Sequence, residues 1–231
     1  MVLAIASYIA LVGLVRGIEG TLLESFSARG TDVILTEAGA ADVLSSVIPE
    51  ELAGDVREVD GIAAASPELG RMTTIGEATT SFVVGWAPGA FSFEALRLVS
   101  GRFPEARDRA GDVAGGIALG ARLAERLELG EGDRVELFAA PFVVTGTYDT
   151  DALMGRNGAI GLLSDVQAQT YRDGQATSVV AKLEDDLDEL ERDAVLAELE
   201  ARFPDLSVDA TEEMVQEYVN LRIANILAWV V

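Results

Sequence analysis

Residues 117–133 read IALGARLAERLELGEGD and predict the end of a strand, a short helix and a tight turn in immediate succession. Gly120 separates the apolar run from the helix, on which Leu123 and Leu127 share one face. The GEGD that follows supplies the glycines of a tight turn, and the side chain of Asp133 can hydrogen-bond to the turn backbone. The stretch therefore predicts a short helix packed on a sheet near the middle of the chain.

Strands are predicted on both sides of this helix and turn. They are Val113–Leu119, Arg134–Phe138, Phe142–Thr147 and Ala159–Leu163. The paired glycines at 115 and 116 weaken the first of them, because glycine has no side chain to pack in a strand. Ser164 or Asp165 is predicted to cap a helix that ends near Tyr171. Residues 91–174 are therefore interpreted as a β-rich unit.

The flanking stretches have a simpler pattern. Strands over Thr31–Thr36, Ala63–Ile75 and Thr79–Trp86 precede the β-rich unit, and strands over Thr177–Leu183 and Leu206–Ala210 follow it. Pro49 is predicted to start a helix between the first two strands, and an acidic helix is predicted over Asp186–Arg202. A βαββ unit before and a βαβ unit after predict an α+β fold, in which residues 28–90 and 175–210 form one split βαβ subdomain and residues 91–174 are inserted.

Both ends of the chain are apolar. From Met1 to Val15 only Ser7 and Gly13 interrupt an apolar run, which Arg16 closes. As a helix this run rises about 22 Å, against a hydrocarbon core of about 30 Å. Residues 1–27 are predicted to be a transmembrane helix truncated at its start, followed by a stalk. A buried core helix is the alternative. A signal peptide would require a basic residue near its start, and this chain has none before Arg16.

Residues 211–231 are predicted to contain a second stalk and the start of a second transmembrane helix. Thr211 caps the predicted helix, and the stretch from Leu221 onwards reads LRIANILAWVV. If the two stalks leave the membrane side by side, they meet along one seam. Its predicted members are Leu22 and Phe26 on one stalk, and Met214, Tyr218 and Leu221 on the other.

Composition excludes several functions. The chain has 39 acidic and 17 basic residues, a formal net charge of −22, no cysteine and no histidine. A nucleic-acid binder needs a basic face, which this chain can hardly build. Without histidine and cysteine the commonest general base, the commonest metal ligand and every disulfide are excluded. Either a high-salt habitat or codon composition accounts for the acidity.

No catalytic, cofactor-binding or metal site is predicted. The phosphate-binding motif GxxxxGK[ST] does not occur, so the chain is not a P-loop ATPase. Ser178 and Lys182 lie on one predicted strand and are interpreted as a sheet-face pair. Asp149, Asp151 and Asn157 lack the spacing of an EF-hand and are interpreted as a solvated loop. The acidic run over residues 184–191 is interpreted as a solvated helix start.

Two further features remain open in the sequence. Phe91, Phe93 and Phe103 cluster near the junction of the two predicted subdomains, where they form either ordinary packing or an apolar patch for a cargo or partner. Residues Met154 to Gly158 form a predicted loop that could touch a partner. Neither is assigned as a site.

The order of these elements resembles the extracytoplasmic core domain of MacB-, LolE- and FtsX-like ABC transporter permeases. The residues that carry the resemblance are Gly30–Leu35 after an apolar helix, Gly101–Phe103 at the start of the insert, the 117–133 stretch, and Phe142-Val143-Val144-Thr145-Gly146. Nearly the whole chain is covered, but these motifs mark a fold and not an active site. Gly115-Gly116 departs from the family, which usually has a continuous strand there.

The resemblance implies a porter-like subdomain with an inserted β-rich subdomain, flanked by membrane-proximal helices. It implies that the domain lies outside the cell membrane and is not an enzyme. The implied partners are a cytoplasmic ABC ATPase subunit, a second permease in a homodimer or pair, the membrane, and an extracytoplasmic adaptor or cargo. Cargo and direction of transport stay open. The alternative is a membrane-anchored binding or scaffold module without transport activity.

If the acidity is a salt adaptation, the melting temperature of the protein rises markedly between low and molar salt, because salt screens the repulsion between carboxylates. Thermal unfolding followed across that range of salt concentration measures the effect. A flat or falling melting temperature would assign the acidity to codon composition.

Overall fold

A ten-stranded mixed sheet organises the residues that the computed structural model describes, which are 26, 28–75 and 79–211. The strands are β1 (Val33–Glu37), β2 (Ile48–Pro49), β3 (Ile62–Ile75), β4 (Thr79–Trp86), β5 (Arg97–Gly101), β6 (Gly115–Gly120), β7 (Arg134–Leu137), β8 (Ala140–Asp149), β9 (Ala159–Leu162), β10 (Gln175–Ala176), β11 (Ser178–Leu183) and β12 (Leu206–Ala210). The helices are α1 (Leu52–Arg57), α2 (Ala121–Leu127), α3 (Leu153–Arg156), α4 (Leu163–Thr170) and α5 (Glu189–Arg202). Short 3-10 turns occur at Phe91–Phe93 and Ala106–Asp108.

The sheet order is β12-β1-β11-β3-β4-β9-β6-β8-β5, with β7 also paired to β8, while β2 and β10 pair separately. Strands β12, β1 and β11, with α1 and α5, are called the first region below. Strands β4 to β9, with α2, α3 and α4, are called the second region. The central strand β3 runs through both.

Each region has its own apolar core. Alternation along β1 and β11 places Val33, Leu35 and Val179 on the face covered by Val56 of α1 and Leu199 of α5. In the second region a separate core forms under α2 and α4. Its buried members include Leu69, Ile117, Leu123, Phe142 and Val166. The helices therefore cover one face of each region, as expected for an α+β fold.

The 14-residue strand β3 changes partners along its length. Residues Ile62 to Glu68 pair with β11 on one edge, and residues Glu68 to Ile75 pair with β4 on the other. Where β3 lacks a strand neighbour, side chains bond its backbone. Arg57 donates to the carbonyl oxygen of Ala65 at 2.8 Å, and the N–H of Gly70 donates to the Thr177 hydroxyl at 3.0 Å.

The predicted α+β class is confirmed, and every predicted strand is present within a few residues of its predicted limits. Strand β11 lies between β1 and β3, and β4 pairs in parallel with β9 of the β-rich unit. The sheet is continuous through β3, so the subdomain limits 28–90 with 175–210 and 91–174 stay a prediction.

Three local predictions are wrong. Pro49 belongs to β2, and α1 begins only at Leu52. Neither Ser164 nor Asp165 caps α4, because β9 runs directly into the helix with Leu162 at the N-cap position and no side-chain cap. The third is α5, which begins at Glu189 and not at Asp186.

The start of α5 has a clear cause. Asp188 accepts a hydrogen bond from the backbone N–H of Glu191 at 2.9 Å, and the Glu191 side chain accepts from the N–H of Asp188 at 2.9 Å. This reciprocal capping box satisfies two backbone donors that the helix leaves free. Strand β5 has no counterpart among the predicted strands, since all five of its residues are exposed and give no alternating apolar pattern.

The paired glycines do not interrupt β6. A side chain at Gly115 would collide with the carboxylate of Asp165, and one at Gly116 would lie 2.6 Å from Oδ2 of Asp108. Asp165 forms an ion pair with Arg109, and Asp108 with Arg102. The two glycines therefore leave room for one carboxylate on each face of the sheet.

The start and the end of the described sheet lie next to each other. Strand β1 pairs with β12, with Val33 opposite Ala210, and the N–H of Thr211 donates to the carbonyl oxygen of Asp32 at 2.9 Å. Among residues 26, 28–75 and 79–211 no helix has the length and apolar composition to cross a membrane. Apart from Phe26 and Thr211, the predicted transmembrane and stalk segments, with Leu22, Met214, Tyr218 and Leu221, lie outside the described residues.

Replacing Gly146 of β8 with alanine is expected to destabilise the fold by about 3 kcal/mol, because overpacking a rigid site forces backbone shifts. The added carbon would lie 2.6 Å from the carbonyl oxygens of Ser100 and Arg102, which are backbone atoms that cannot rotate away. Denaturant unfolding measures the loss.

Gly54→Ala in α1 is the control, since nothing lies within 4 Å of the added carbon. We expect it to be neutral or stabilising by up to about 1 kcal/mol. Equal stability of the Gly146→Ala variant and the native protein would contradict the packing at β8.

Candidate functional site

A buried carboxylate lies where β3 changes partners. Glu68 is the one residue of β3 whose backbone register faces both neighbours, with Ser178 of β11 on one side and Trp86 of β4 on the other. The residue is only 2% exposed. A charge at such a position requires compensation, because burying an unpaired carboxylate costs several kcal/mol.

Two segments from different parts of the chain compensate this charge. Nη1 of Arg29, just before β1, lies 3.2 Å from each carboxylate oxygen of Glu68. The hydroxyl of Ser92, in the turn that follows β4, donates to Oε1 of Glu68 at 3.1 Å. We refer to Arg29, Glu68 and Ser92 as the polar junction.

Aromatic rings surround the arginine of the polar junction. The Arg29 guanidinium carbon lies 4.7 Å from the ring centroid of Phe26 and 5.1 Å from that of Trp86. Cation–π contacts of this kind stabilise a guanidinium that has lost its water. The side chains of Arg29 and Glu68 are 6% and 3% exposed, so the pair is little screened by solvent.

The protonation of the polar junction reflects a balance of opposing effects. Burial raises the pKa of Glu68 above its ordinary value, and the charge of Arg29 with the hydrogen bond from Ser92 lowers it again. Burial dominates, so the net shift is upward. The nearby phenol of Tyr148 also has a raised pKa, because burial disfavours the phenolate.

The backbone at Glu68 is held separately. Its carbonyl oxygen accepts the N–H of Thr177 at 2.8 Å and the Thr177 hydroxyl at 3.1 Å. Thr177 directly precedes β11, and its hydroxyl also accepts a hydrogen bond from the N–H of Gly70. This side chain therefore continues the hydrogen bonding between β11 and β3 beyond the last paired residues. The peptide at this position is therefore fixed to the first region.

A narrow apolar cleft lies beside the polar junction. Arg29, Trp86, Leu96 and Tyr148 line it, and the Tyr148 hydroxyl donates to the carbonyl oxygen of Gly155 at 2.9 Å. Its volume of about 20 Å³ admits one water molecule and not an organic substrate. The geometry supports a connecting role for these residues, since one carboxylate joins three segments of chain.

The predicted phenylalanine cluster is divided between two cores. Phe93 packs edge-on against Trp86 at 4.9 Å and against Phe103 at 4.8 Å between ring centroids. Phe91 instead packs with Phe26 on the outer face of the first region. All three phenylalanines are half-buried, so this is packing around the polar junction and not an open patch.

The loop acids and the strand pair have ordinary partners. Asp149 forms ion pairs with Arg97 at 2.7 Å and Arg156 at 3.0 Å, and the Asn157 amide donates to the carbonyl oxygen of Leu153. Asp151 lies in the exposed bend before α3. The loop predicted from Met154 to Gly158 begins inside α3, whose Gly155 accepts the Tyr148 bond.

Ser178 and Lys182 lie on the same face of β11. Strand geometry separates them by about 13 Å, too far for a serine nucleophile and its base to share a proton. Ser178 is buried, whereas Lys182 forms an ion pair with Asp185 at 3.5 Å. The predicted sheet-face pair is therefore what the strand contains.

The polar junction was not predicted. A signal for it exists in the ASPELG stretch, where Pro67 and Glu68 interrupt an otherwise apolar strand pattern. Proline and a charged residue inside a central strand indicate either a wrong assignment or a special environment. Nothing local identifies Arg29 and Ser92 as the partners, which lie 39 and 24 residues away.

The raised pKa of Glu68 predicts a pH-dependent difference from a Glu68→Gln variant. The folded protein binds this proton more tightly than the unfolded chain does. The associated stability is therefore present below the unfolded pKa and lost as pH rises through the folded pKa. The native free energy of unfolding minus that of the variant is expected to fall with rising pH, by about 1.4 kcal/mol per unit of pKa shift.

Denaturant unfolding between mildly acidic and neutral pH measures that difference. Glu200→Gln, at an exposed position of α5, is the matched control for removing a carboxylate that is not buried. A difference that is flat or rising for Glu68→Gln would show that the charge at position 68 is not disfavoured by burial.

A family model described as the MacB-like periplasmic core domain matches residues 1–201. The macrolide export ATP-binding/permease protein MacB of Nitrobacter winogradskyi is 25% identical over 166 residues. The match covers 68% of this chain and 25% of that protein, so the chain spans about a quarter of the length of this relative.

Two solved structures have a similar fold. The periplasmic region of MacB from Actinobacillus actinomycetemcomitans matches with a TM-score of 0.59 and 18% identity, over 84% of this chain and 96% of that one. The extracellular domain of the noncanonic ABC-type transporter YknZ from Gram-positive bacteria matches with a TM-score of 0.57 and 15% identity, over 78% and 99%. These low identities bear on the fold alone. With the family match over most of its length, the chain belongs to the family of MacB-like periplasmic core domains.

Proposed function

We propose that this chain is the extracytoplasmic domain of an ABC transporter permease subunit. In this role it couples ATP hydrolysis by a separate cytoplasmic ATPase to movement outside the membrane. The movement serves export, lipoprotein extraction or activation of a partner. The domain itself catalyses no reaction.

The observation that carries the proposal is the meeting of entry and exit at one edge of the sheet. Strands β1 and β12 are antiparallel neighbours, and the hydrogen bond between Thr211 and Asp32 closes their ladder. Segments that continue from these two points start side by side. A two-helix stalk rising from the membrane would therefore enter the fold without a flexible linker.

Rigid attachment supports force transmission. The segment before β1 carries Phe26, which is buried against Ile34 and Val180 of the sheet, and Arg29, which reaches Glu68. A displacement of this segment therefore acts on packed residues in the centre of the sheet.

The proposed partners follow from this arrangement. A cytoplasmic ATPase supplies the free energy, and a second permease, as a homodimer or a pair, completes the transporter. The main domain lies on the far side of the cell membrane from the ATPase, where an adaptor or cargo reaches it. A net charge of −22 argues against nucleic acid as a partner.

Cysteines at Leu22 and Tyr218 are expected to form a disulfide in the full-length protein, because two stalks that leave the membrane side by side would bring these positions within the roughly 7 Å between Cα atoms that a disulfide requires. The crosslink should slow ATP hydrolysis by the assembled transporter, and reduction should restore it. Crosslinking yield and ATP turnover are measured on the same samples.

Cysteines at Glu37 and Leu206 are the matched control. These residues are opposite each other at the far end of the β1–β12 ladder, so their crosslink should leave ATP turnover unchanged. Failure to crosslink at Leu22 and Tyr218, and at neighbouring pairs, would contradict the proposed two-helix stalk. A crosslink that forms without any effect on turnover would instead favour a static, membrane-anchored scaffold.

A further inference from the structure

The two regions of the sheet are hydrogen-bonded to each other through β3 alone among the described strands. Along the sheet order, β11 precedes β3 and β4 follows it, and the two ladders on β3 overlap only at Glu68. A continuous sheet normally shares many residues between neighbouring ladders and resists bending. Here the ladder bonds on either side of Glu68 can stay intact while the strand changes direction at one residue.

The apolar cores divide at the same place. Ile62 and Ala65 of β3 belong to the core under α1 and α5, and Leu69 and Ile75 belong to the core under α2 and α4. The intervening residues 66–68 belong to neither core. Pro67 lacks a backbone donor, and by strand alternation its nitrogen faces the same edge as the Ala65 carbonyl, where β3 has no strand neighbour. Bending at this point would leave each of these two cores intact.

Polar contacts link the two regions where β3 changes partners. Arg29 comes from the segment that enters the first region, and Ser92 from the segment that leads into the second region. Phe91, beside Ser92, packs on the outer face of the first region. A second polar link joins the regions elsewhere, where the Gln167 amide of α4 donates to the Glu50 carboxylate at 2.6 Å.

We infer that β3 is a hinge at Ser66–Glu68, and that the polar junction of Arg29, Glu68 and Ser92 sets the angle between the two regions. Hinges are short segments that absorb a change in backbone dihedral angles while the bodies on either side stay rigid. Because Arg29 belongs to the entering segment, a movement of that segment alters the contact that holds the angle. The inference does not depend on transport, since the angle is a property of the domain.

Spin labels on cysteines at Glu125 of α2 and Glu198 of α5, both exposed, report the distance between the two regions in the full-length protein. The native protein should give one dominant distance. Glu68→Gln weakens the polar junction and should raise the population of a second distance about fivefold or more, which is the range of typical conformational coupling. Ser92→Ala, which removes one neutral hydrogen bond, should act in the same direction and less strongly.

Labels at Glu125 and Glu136 lie within the second region and should give the same distance in every variant. Glu200→Gln is the matched control for the substitution. A folded Glu68→Gln variant with the native distance distribution overturns the hinge. If Glu68→Gln does not fold, Ser92→Ala decides, and an unchanged distribution for that variant overturns it equally.

Discussion

The arrangement of this domain depends on one buried carboxylate and its arginine. Glu68 occupies the single position at which the central strand is paired on both sides, and Arg29 brings the entering segment to it. Replacing such a pair with apolar residues of similar volume often costs no stability, whereas removing one partner leaves a buried charge without compensation. Its value is therefore positional. The pair fixes where the entering chain, the first region and the second region meet.

Local sequence patterns predicted the elements of the fold well. Strands such as β4 and β11 combine β-branched residues with turn signals at their ends. On the short helix α2, Leu123 of the predicted apolar face is buried and Leu127 is half-buried. Strand β5 lacked such a pattern because it lies at the sheet edge with no buried face. The start of α4 was misplaced because β9 enters the helix without the polar cap that usually marks such a boundary.

The polar junction shows where local patterns stop being sufficient. Its partners come from separate stretches of chain, and only the completed sheet brings them together. The same holds for Gly115 and Gly116, which looked like strand breakers and instead make room for Asp165 and Asp108. In both cases a residue is determined by a tertiary contact and not by its neighbours in sequence. The family resemblance could still be recognised from the sequence, because the glycine turns and apolar spacings that carry it are local.

The bond between Thr211 and Asp32 has a consequence for how such a domain is combined with other proteins. When the first and last described strands of a domain are adjacent, the two connections to a host protein lie next to each other. Such a domain can therefore be accommodated in a loop of a host protein without forcing the flanking elements apart, as is common for inserted domains. The host has only to present two neighbouring chain ends. Grafted onto an unrelated helical hairpin, the domain should keep its own sheet and cores.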